Sequence, residues 1–242
     1  MSSLRVVEEM QVCQDLGIKE VFFLDDTFTL DIPRVHAICR EITKRKLMII
    51  WGIKARIDFV TKDMLKDIVA SGCKRIHFGI EAGTDEGLKR LKKGITLEQV
   101  RNVFKWLKKY SIETSTAFII GCPGETKEGV LEKIKLAKEL NATFAQFSVL
   151  TPYPRTEIYE EGLKKGLWAG DFWQGFAQEP KSGFEPGLWE ETLSKKELYE
   201  LTKLAYKRFY LRPEYIIKSL LKLRSASEFK RKVAEGLKIV RF

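Results

Sequence analysis

The sequence predicts an α/β fold built on a parallel sheet. Three observations carry that prediction. Short apolar runs open near residues 20, 48, 75, 113 and 145. Each is followed by a stretch whose apolar residues recur at helical spacing. No segment between them carries the turn chemistry of an antiparallel hairpin. Five successive strand–helix units leave two windings open, a doubly wound sheet and a barrel.

The elements follow in order. Val6, Met10, Cys13 and Leu16 lie at helical spacing and stop at Gly17, a helix-ending glycine. Residues 21–24 are a continuous apolar run of the buried parallel-strand type, ending in Asp25-Asp26-Thr27. Asp31 caps a second helix with Pro33 in its first turn, and Ile32, Val35, Ile38 and Ile42 form its stripe. Residues 48–53 read as the next strand, leading to Arg56 and Asp58. Thr61 then caps a helix that runs through Leu65, Ile68 and Val69 to Gly72. Residues 75–80 form a strand ending in Glu81-Ala82-Gly83. After a short helix around Leu88, Thr96-Leu97-Glu98-Gln99 has the form of a capping box. The helix it opens carries Val100, Val103, Phe104 and Leu107. The strand at 116–120 turns through Gly121-Cys122-Pro123-Gly124-Glu125 and restarts as a helix at Thr126. The last strand, 145–150, ends in Thr151-Pro152-Tyr153-Pro154.

Beyond Gly166 the pattern changes. Trp168, Phe172, Trp173, Phe176, Phe184 and Trp189 lie among Gly and Pro without a period, which predicts an irregular segment fixed by its aromatics. The end is helical, with capping-box patterns at Ser194–Glu197 and Ser225–Glu228 and a helix opened by Pro213. The expected division is 1–166 and 167–242.

Bulk properties narrow the class. At 44% hydrophobic and 31% charged, the chain has the composition of an ordinary globular protein. No apolar run approaches the ~20 residues of a membrane span, and the N-terminus lacks signal-peptide form, so a cytoplasmic location is expected. Cys13, Cys39, Cys73 and Cys122 stand tens of residues apart, without metal-ligand spacing. Cys13 and Cys39 fall on apolar helix faces, where a thiol acts as a small hydrophobe. From residue 203 onward the chain carries twelve Lys/Arg against three Asp/Glu, so nine of its ten net positive charges belong to the tail.

Parallel α/β proteins place ligands at the C-terminal ends of their strands. There this sequence puts Asp25/Asp26, Arg56/Asp58, Glu81, the 121–125 turn and the 151–154 segment. Any single polar residue can simply end a strand; five consecutive strand ends argue for a site for a polar small molecule. Carboxylates hold amines or hydroxyls, an arginine grips a carboxylate bidentately, and a glycine turn lets backbone approach a flat base. For Asp25-Asp26, paired acid/base carboxylates, helix capping and amine binding all fit. His36 and His77 lack a metal-ligand companion and read as structural. The 89–93 run, Lys89-Arg90-Leu91-Lys92-Lys93, reads as a solvated helix end.

With these residues assembled, the chain resembles the core of radical S-adenosylmethionine (SAM) enzymes, above all those with a cobalamin-binding domain. Phe22-Phe23-Leu24-Asp25-Asp26 resembles that group's second barrel strand, whose end lies against the methionyl amine. Phe78-Gly79-Ile80-Glu81-Ala82-Gly83 resembles the fourth-strand motif, whose Glu lies beside SAM. The segment from Phe118 to Thr126, with Ile120, Gly121, Pro123 and Gly124, resembles the fifth-strand motif against the adenine. Pro152-Tyr153-Pro154-Arg155-Thr156 resembles the sixth-strand segment, and Phe209-Tyr210-Leu211-Arg212-Pro213 one that follows the barrel. The resemblance implies a partial TIM-like barrel equivalent to strands two to six, with a helical C-terminal tail. It implies cofactor contacts from Asp25, Asp26, Arg56, Glu81, Ile120, Gly121, Pro123, Gly124, Pro152 and Tyr153.

Three departures qualify the resemblance. Ala82 stands where Ser is usual, and Arg155 where the turn normally uses Gly. The family's Cys-x-x-x-Cys-x-x-Cys, which holds a 4Fe–4S cluster, does not occur in the 242 residues. The chain is therefore expected to begin one helix late, to expose a sheet edge, and to be inactive alone, holding neither cluster nor cobalamin. Expected partners are a small-molecule or lipid-like substrate, a missing N-terminal region or another subunit, and a second copy through the sheet edge. The basic helix with Ile216, Ile217, Leu220, Leu221, Leu223, Lys218, Lys222 and Arg224 is expected first to pack on the barrel with its lysines in water, and it also suits an anionic surface or a lipid substrate. The resemblance implies the C-terminal, SAM-binding portion of a cobalamin-dependent methyltransferase or a related enzyme that forms C–C or C–S bonds. An RNA-modifying methylthiotransferase-like role is the alternative, but no small RNA-binding β-barrel follows the core, which argues against nucleic acid. A SAM- or nucleotide-binding scaffold without catalysis is the other.

Overall fold

A computed structural model of the chain describes residues 1–221, 223 and 225–241. Local signals set most element boundaries. Helix α1 (Ser3–Asp15) is capped by Ser2 and yields to Gly17 at φ 80°. Strand β1 (Glu20–Phe22) precedes α2 (Ile32–Arg45), whose first turn is closed by the Asp31 carboxylate accepting from the Arg34 N–H at 2.9 Å. Strand β2 (Ile50–Ala55) leads to α3 (Lys62–Ala70), capped by Thr61 as expected. Strand β3 (Cys73–Glu81) is followed by the short α4 (Asp85–Arg90) and by α5 (Leu97–Leu107), which opens with the full Thr96/Gln99 capping box. Then come β4 (Glu113–Ile120), α6 (Lys127–Leu140), β5 (Phe144–Val149) and α7 (Glu157–Lys164). The chain continues through α8 (Phe172–Gln178), α9 (Lys195–Tyr210), α10 (Pro213–Leu221) and α11 (Ala226–Arg241).

The strands stand in one sheet in chain order, β1-β2-β3-β4-β5. That order settles the winding. A doubly wound sheet reverses strand order at a switch point, whereas a barrel adds each strand beside the last. β1–β2 and β2–β3 pair in parallel, with Val21 opposite Trp51 and Ile53 opposite Ile76. The fold is a partial barrel of five parallel strands.

Internal contacts divide the chain into two compact units. The first comprises Met1–Glu81, Leu88–Ala117 and Ala137–Gln146. Its strands alternate: Ile76, Phe78 and Ile80 of β3 are sealed, while Arg75, His77, Gly79 and Glu81 on the other face are only half-buried. Phe78 meets Phe104 of α5 at 5.6 Å between centroids, and Val35, Ile38, Met64, Leu65 and Ile68 complete the apolar layer. The second unit comprises Ala82–Gly87, Phe118–Leu136 and Phe147–Phe242. There Phe118 and Phe147 stack at 5.5 Å, and the Tyr206 hydroxyl of α9 accepts the Phe147 N–H at 3.2 Å. Arg212 lies 4.1 Å over the Phe209 ring and donates to the Phe209 carbonyl, so the expected post-barrel motif is a structural clamp.

Several expectations shift. β1 stops at Phe22, leaving Leu24 exposed, and β2 begins at Ile50, leaving Met48 exposed; their parallel register covers only residues 20–22 and 50–52. Leu16 ends α1 in solvent, off the apolar stripe, and Cys13 is half-buried while Cys39 is buried. The aromatic segment after Gly166 contains one short helix, α8, capped by Asp171, and its rings pack together: Trp168 stacks on Tyr159 at 5.6 Å. In the tail, α10 ends at Leu221. Lys222, Arg224 and the Glu228 side chain of the second capping box lie outside the described residues.

Candidate functional site

The sequence-predicted polar residues fall in both units, and the structure gathers them into two local groups. In the first unit, Asp25 and Asp26 follow β1 and are exposed; the nearest cation to Asp26 is Lys54, at 4.0 Å. Arg56, directly after β2, donates to both oxygens of Asp58 at 3.1 and 2.9 Å. The fork that the sequence offers to a ligand carboxylate is thus engaged within the chain, because a short 3-10 turn brings Asp58 back to Arg56. This pairing, its largest influence, raises the guanidinium above its ordinary range. Arg56 also donates to the Lys93 carbonyl at 3.0 Å, and Lys93 Nζ stands 3.4 Å from a Glu81 carboxylate oxygen.

Arg56, Asp58, Glu81 and Lys93 therefore form one cluster. Lys93 corrects the reading of the 89–93 run as a solvated helix end: its side chain is 22% exposed and faces a carboxylate. Glu81, the last residue of β3, sits at φ 72°. That left-handed conformation is unusual for a residue that is neither glycine nor a helix cap, and strain of this kind concentrates at functional positions. A Cβ on Gly79, two residues earlier, would meet the Glu81 carboxylate first and then Lys93 Nζ at 3.3 Å, so a side chain there would push on this pair.

In the second unit, the 121–125 turn is held by carboxylates. Gly121 at φ 83° and Gly124 at φ 64° supply its left-handed steps. The Glu125 carboxylate accepts the Gly121 and Cys122 N–H groups at 2.7 and 3.3 Å. It also pairs with Lys133 of α6, which donates in turn to the Ile119 carbonyl. Gly124 N–H donates to Glu191 at 3.2 Å, and Thr192 Oγ1 donates to the Glu125 carbonyl. Leu198 of α9 fills the space beside Gly121, where a Cβ would meet it at 2.7 Å. Three amides of the turn are thus taken by protein carboxylates, which makes the turn a stiff shelf and not a phosphate cradle. Glu191 is held below the usual carboxylate range first by Lys165, then by the Trp189 indole N–H.

In the 151–156 segment, Pro152 is buried and accepts the Trp173 indole N–H at 2.8 Å, while exposed Tyr153 stacks on Trp173 at 5.8 Å. Arg155 takes φ 64°, the conformation for which glycine is the usual choice. The sequence pointed to neither Lys133 nor Glu191 as a site residue, and it placed Lys93 in a solvated run. Only Lys133 carried a signal, a lysine on the apolar stripe of Val130, Ile134 and Ala137.

The histidines behave as expected of structural ones. His36 pairs with Asp67 at 2.6 Å, and burial, followed by the Lys54 charge, lowers the His77 pKa. Burial pushes the Cys39 and Cys73 thiols up to about 11 and about 12. Thiols so disfavoured as thiolates, placed on α2 and β3, do not fit an iron–sulfur cluster. Among the described residues no three His, Cys, Asp or Glu side chains are grouped to hold a metal ion, and no helix is long and apolar enough to cross a membrane.

Comparison with known proteins places this geometry. The family model described as the radical SAM superfamily matches residues 1–159. An uncharacterized methyltransferase of Pyrococcus horikoshii is 35% identical over 217 residues, covering 89% of this chain and 46% of the relative. The anaerobic magnesium-protoporphyrin IX monomethyl ester cyclase of Rubrivivax gelatinosus is 27% identical, covering 88% and 38%. The chain thus spans less than half the length of these relatives. Among solved structures, the radical SAM methyltransferase TsrM of Kitasatospora setae, with cobalamin and a 4Fe–4S cluster bound, superposes with a TM-score of 0.64 at 24% identity, covering 68% of this chain and 34% of that one. The cobalamin-dependent radical enzyme OxsB, with aqua-cobalamin and SAM bound, gives 0.64 at 17%, covering 100% and 41%. At these identities the structural likeness concerns the fold.

Proposed function

The chain belongs to the radical SAM superfamily, and from that premise we propose that it is the SAM-holding part of a methyltransferase-like, cobalamin-dependent enzyme acting on a small molecule. The names of the Pyrococcus relative and of TsrM support methyl transfer, and those of TsrM and OxsB support the cobalamin. The observation that carries the ligand assignment is Glu81. A strained carboxylate at a strand end faces Lys93 at 3.4 Å, longer than the usual charge-assisted hydrogen bond, so the pair can open to a ligand ammonium or hydroxyl.

In this reading Asp25, Asp26 and Glu81 serve the methionyl and ribose groups, while Arg56, its fork held by Asp58, braces the cluster through the Lys93 carbonyl. The second unit, taken by itself, offers Ile120, Gly121, Pro123 and Gly124 as candidate backbone contacts for an adenine, with Pro152 and Tyr153 as its further candidates. Bound SAM supplies an activated methyl group on its sulfonium. The chain's own residues bind and orient, and in this reading the chain alone holds no cluster and is inactive. Calorimetry with SAM tests the assignment: the chain binds, and Glu81→Gln weakens binding about tenfold or more. No heat and no thermal shift at millimolar SAM would sink it. Anaerobic reconstitution with iron and sulfide tests the inactivity, and a stoichiometric, SAM-responsive cluster would refute it.

A further inference from the structure

We propose that Lys133 is a positioning residue of the SAM site, a buried bolt that sets the backbone of the 121–125 turn from its far side. This rests on the reading of that turn as the adenine shelf. Three observations in the second unit converge on Lys133. Its side chain is 3% exposed and that of its partner Glu125 8%, so neither charge is there for solubility. Lys133 reaches two parts of the turn at once: it pairs with the Glu125 carboxylate that holds the Gly121 and Cys122 amides, and it donates to the Ile119 carbonyl just before them. Finally, its own backbone is the floor for another motif. A Cβ on Gly83 would lie 2.6 Å from the Glu132 carbonyl carbon and 2.7 Å from Lys133 Cα, so only glycine lets the backbone at 83 approach α6 there.

One turn of α6 therefore carries both the Gly83 contact and the ion pair that shapes the 121–125 backbone. A buried pair of this kind gives little net stability compared with an apolar replacement, but it fixes a geometry. Leaving Glu125 without its cation would tilt its carboxylate away from the two amides, and a shelf displaced by a fraction of an ångström binds a flat base poorly.

The experiment uses the full chain with three variants, Lys133→Met, Lys133→Arg and the double Glu125→Gln/Lys133→Met. Amide hydrogen exchange and SAM calorimetry are read on each. In Lys133→Met the Gly121 and Cys122 amides lose protection while β2 and β3 keep theirs, and SAM affinity falls about tenfold or more. The arginine variant restores part of both. The double variant leaves no orphan charge, so it recovers thermal stability while SAM affinity stays low. Unchanged amide protection in Lys133→Met, or wild-type SAM affinity in the stably folded double variant, overturns the proposal. If the unaltered chain binds no SAM, the ligand assignment fails by itself, and the exchange data still decide whether Lys133 sets the turn.

Discussion

Two carboxylate–lysine pairs, Glu81–Lys93 and Glu125–Lys133, have the same chemistry and different surroundings. The first lies at the end of β3 with side chains 18% and 22% exposed, and its atoms stand 3.4 Å apart. The second is sealed, with its remaining acceptor capacity spent on two backbone amides. In the half-open pair water competes for both charges, so the interaction is weak and exchangeable. In the sealed pair neither charge can turn to water, so removing one leaves the other's charge uncompensated. An exchangeable pair suits a ligand contact, and a sealed one suits a scaffold.

Breaking each pair from the lysine side tests this contrast most directly. Lys133→Met should cost about 3–5 kcal/mol in urea unfolding, the penalty of an uncompensated buried charge. Lys93→Met should cost less, because its pair is longer and keeps about a fifth of each side chain in water. Equal losses would show that burial does not separate the two pairs. A smaller effect is expected at Arg155, which holds a left-handed backbone that costs a side-chain-bearing residue about 1–2 kcal/mol. Arg155→Gly relieves that strain, though glycine's greater unfolded-state freedom offsets part of it. A modest rise in melting temperature is the expected outcome, and a fall would mean that the Arg155 side chain holds the loop.

The smallest effect concerns pH. Glu191, bonded to Lys165 at 2.8 Å and to the Trp189 indole N–H at 3.0 Å, has its pKa lowered in the folded chain from the ordinary 4.5. A lowered folded value means that the stabilisation is fully present above pH 4.5 and is lost as pH falls through the folded pKa. Stability measured against pH should therefore fall less steeply below 4.5 in Glu191→Gln than in the unaltered chain. An unchanged slope would remove Glu191 from the list of groups that hold the turn.

Much of this was legible before folding. The caps at Asp31, Thr61, Thr96 and Ser194 act within one helical turn, and so the sequence announced them correctly. Residues 121–124 announced their turn through Gly and Pro. Strand ends were less well placed, as with β1 and β2, because pairing register rather than apolar content decides where a ladder stops. In the candidate site, Glu81 was visible and Lys93 was misread, since a Lys-rich run looks alike whether its last residue meets water or a carboxylate.

The sequence by itself determined the class of fold, the order of strands and helices, and the polar character of the strand ends, because periodicity, capping and turn chemistry are local. Only tertiary structure decided which charges meet. Arg56 turns to Asp58, Glu81 to Lys93, Glu125 to Lys133 and Gly124 to Glu191, the last across 67 residues of chain. Such pairings depend on how helices seat against strands, and burial then determines whether a pair is a replaceable contact or a fixed part of the frame.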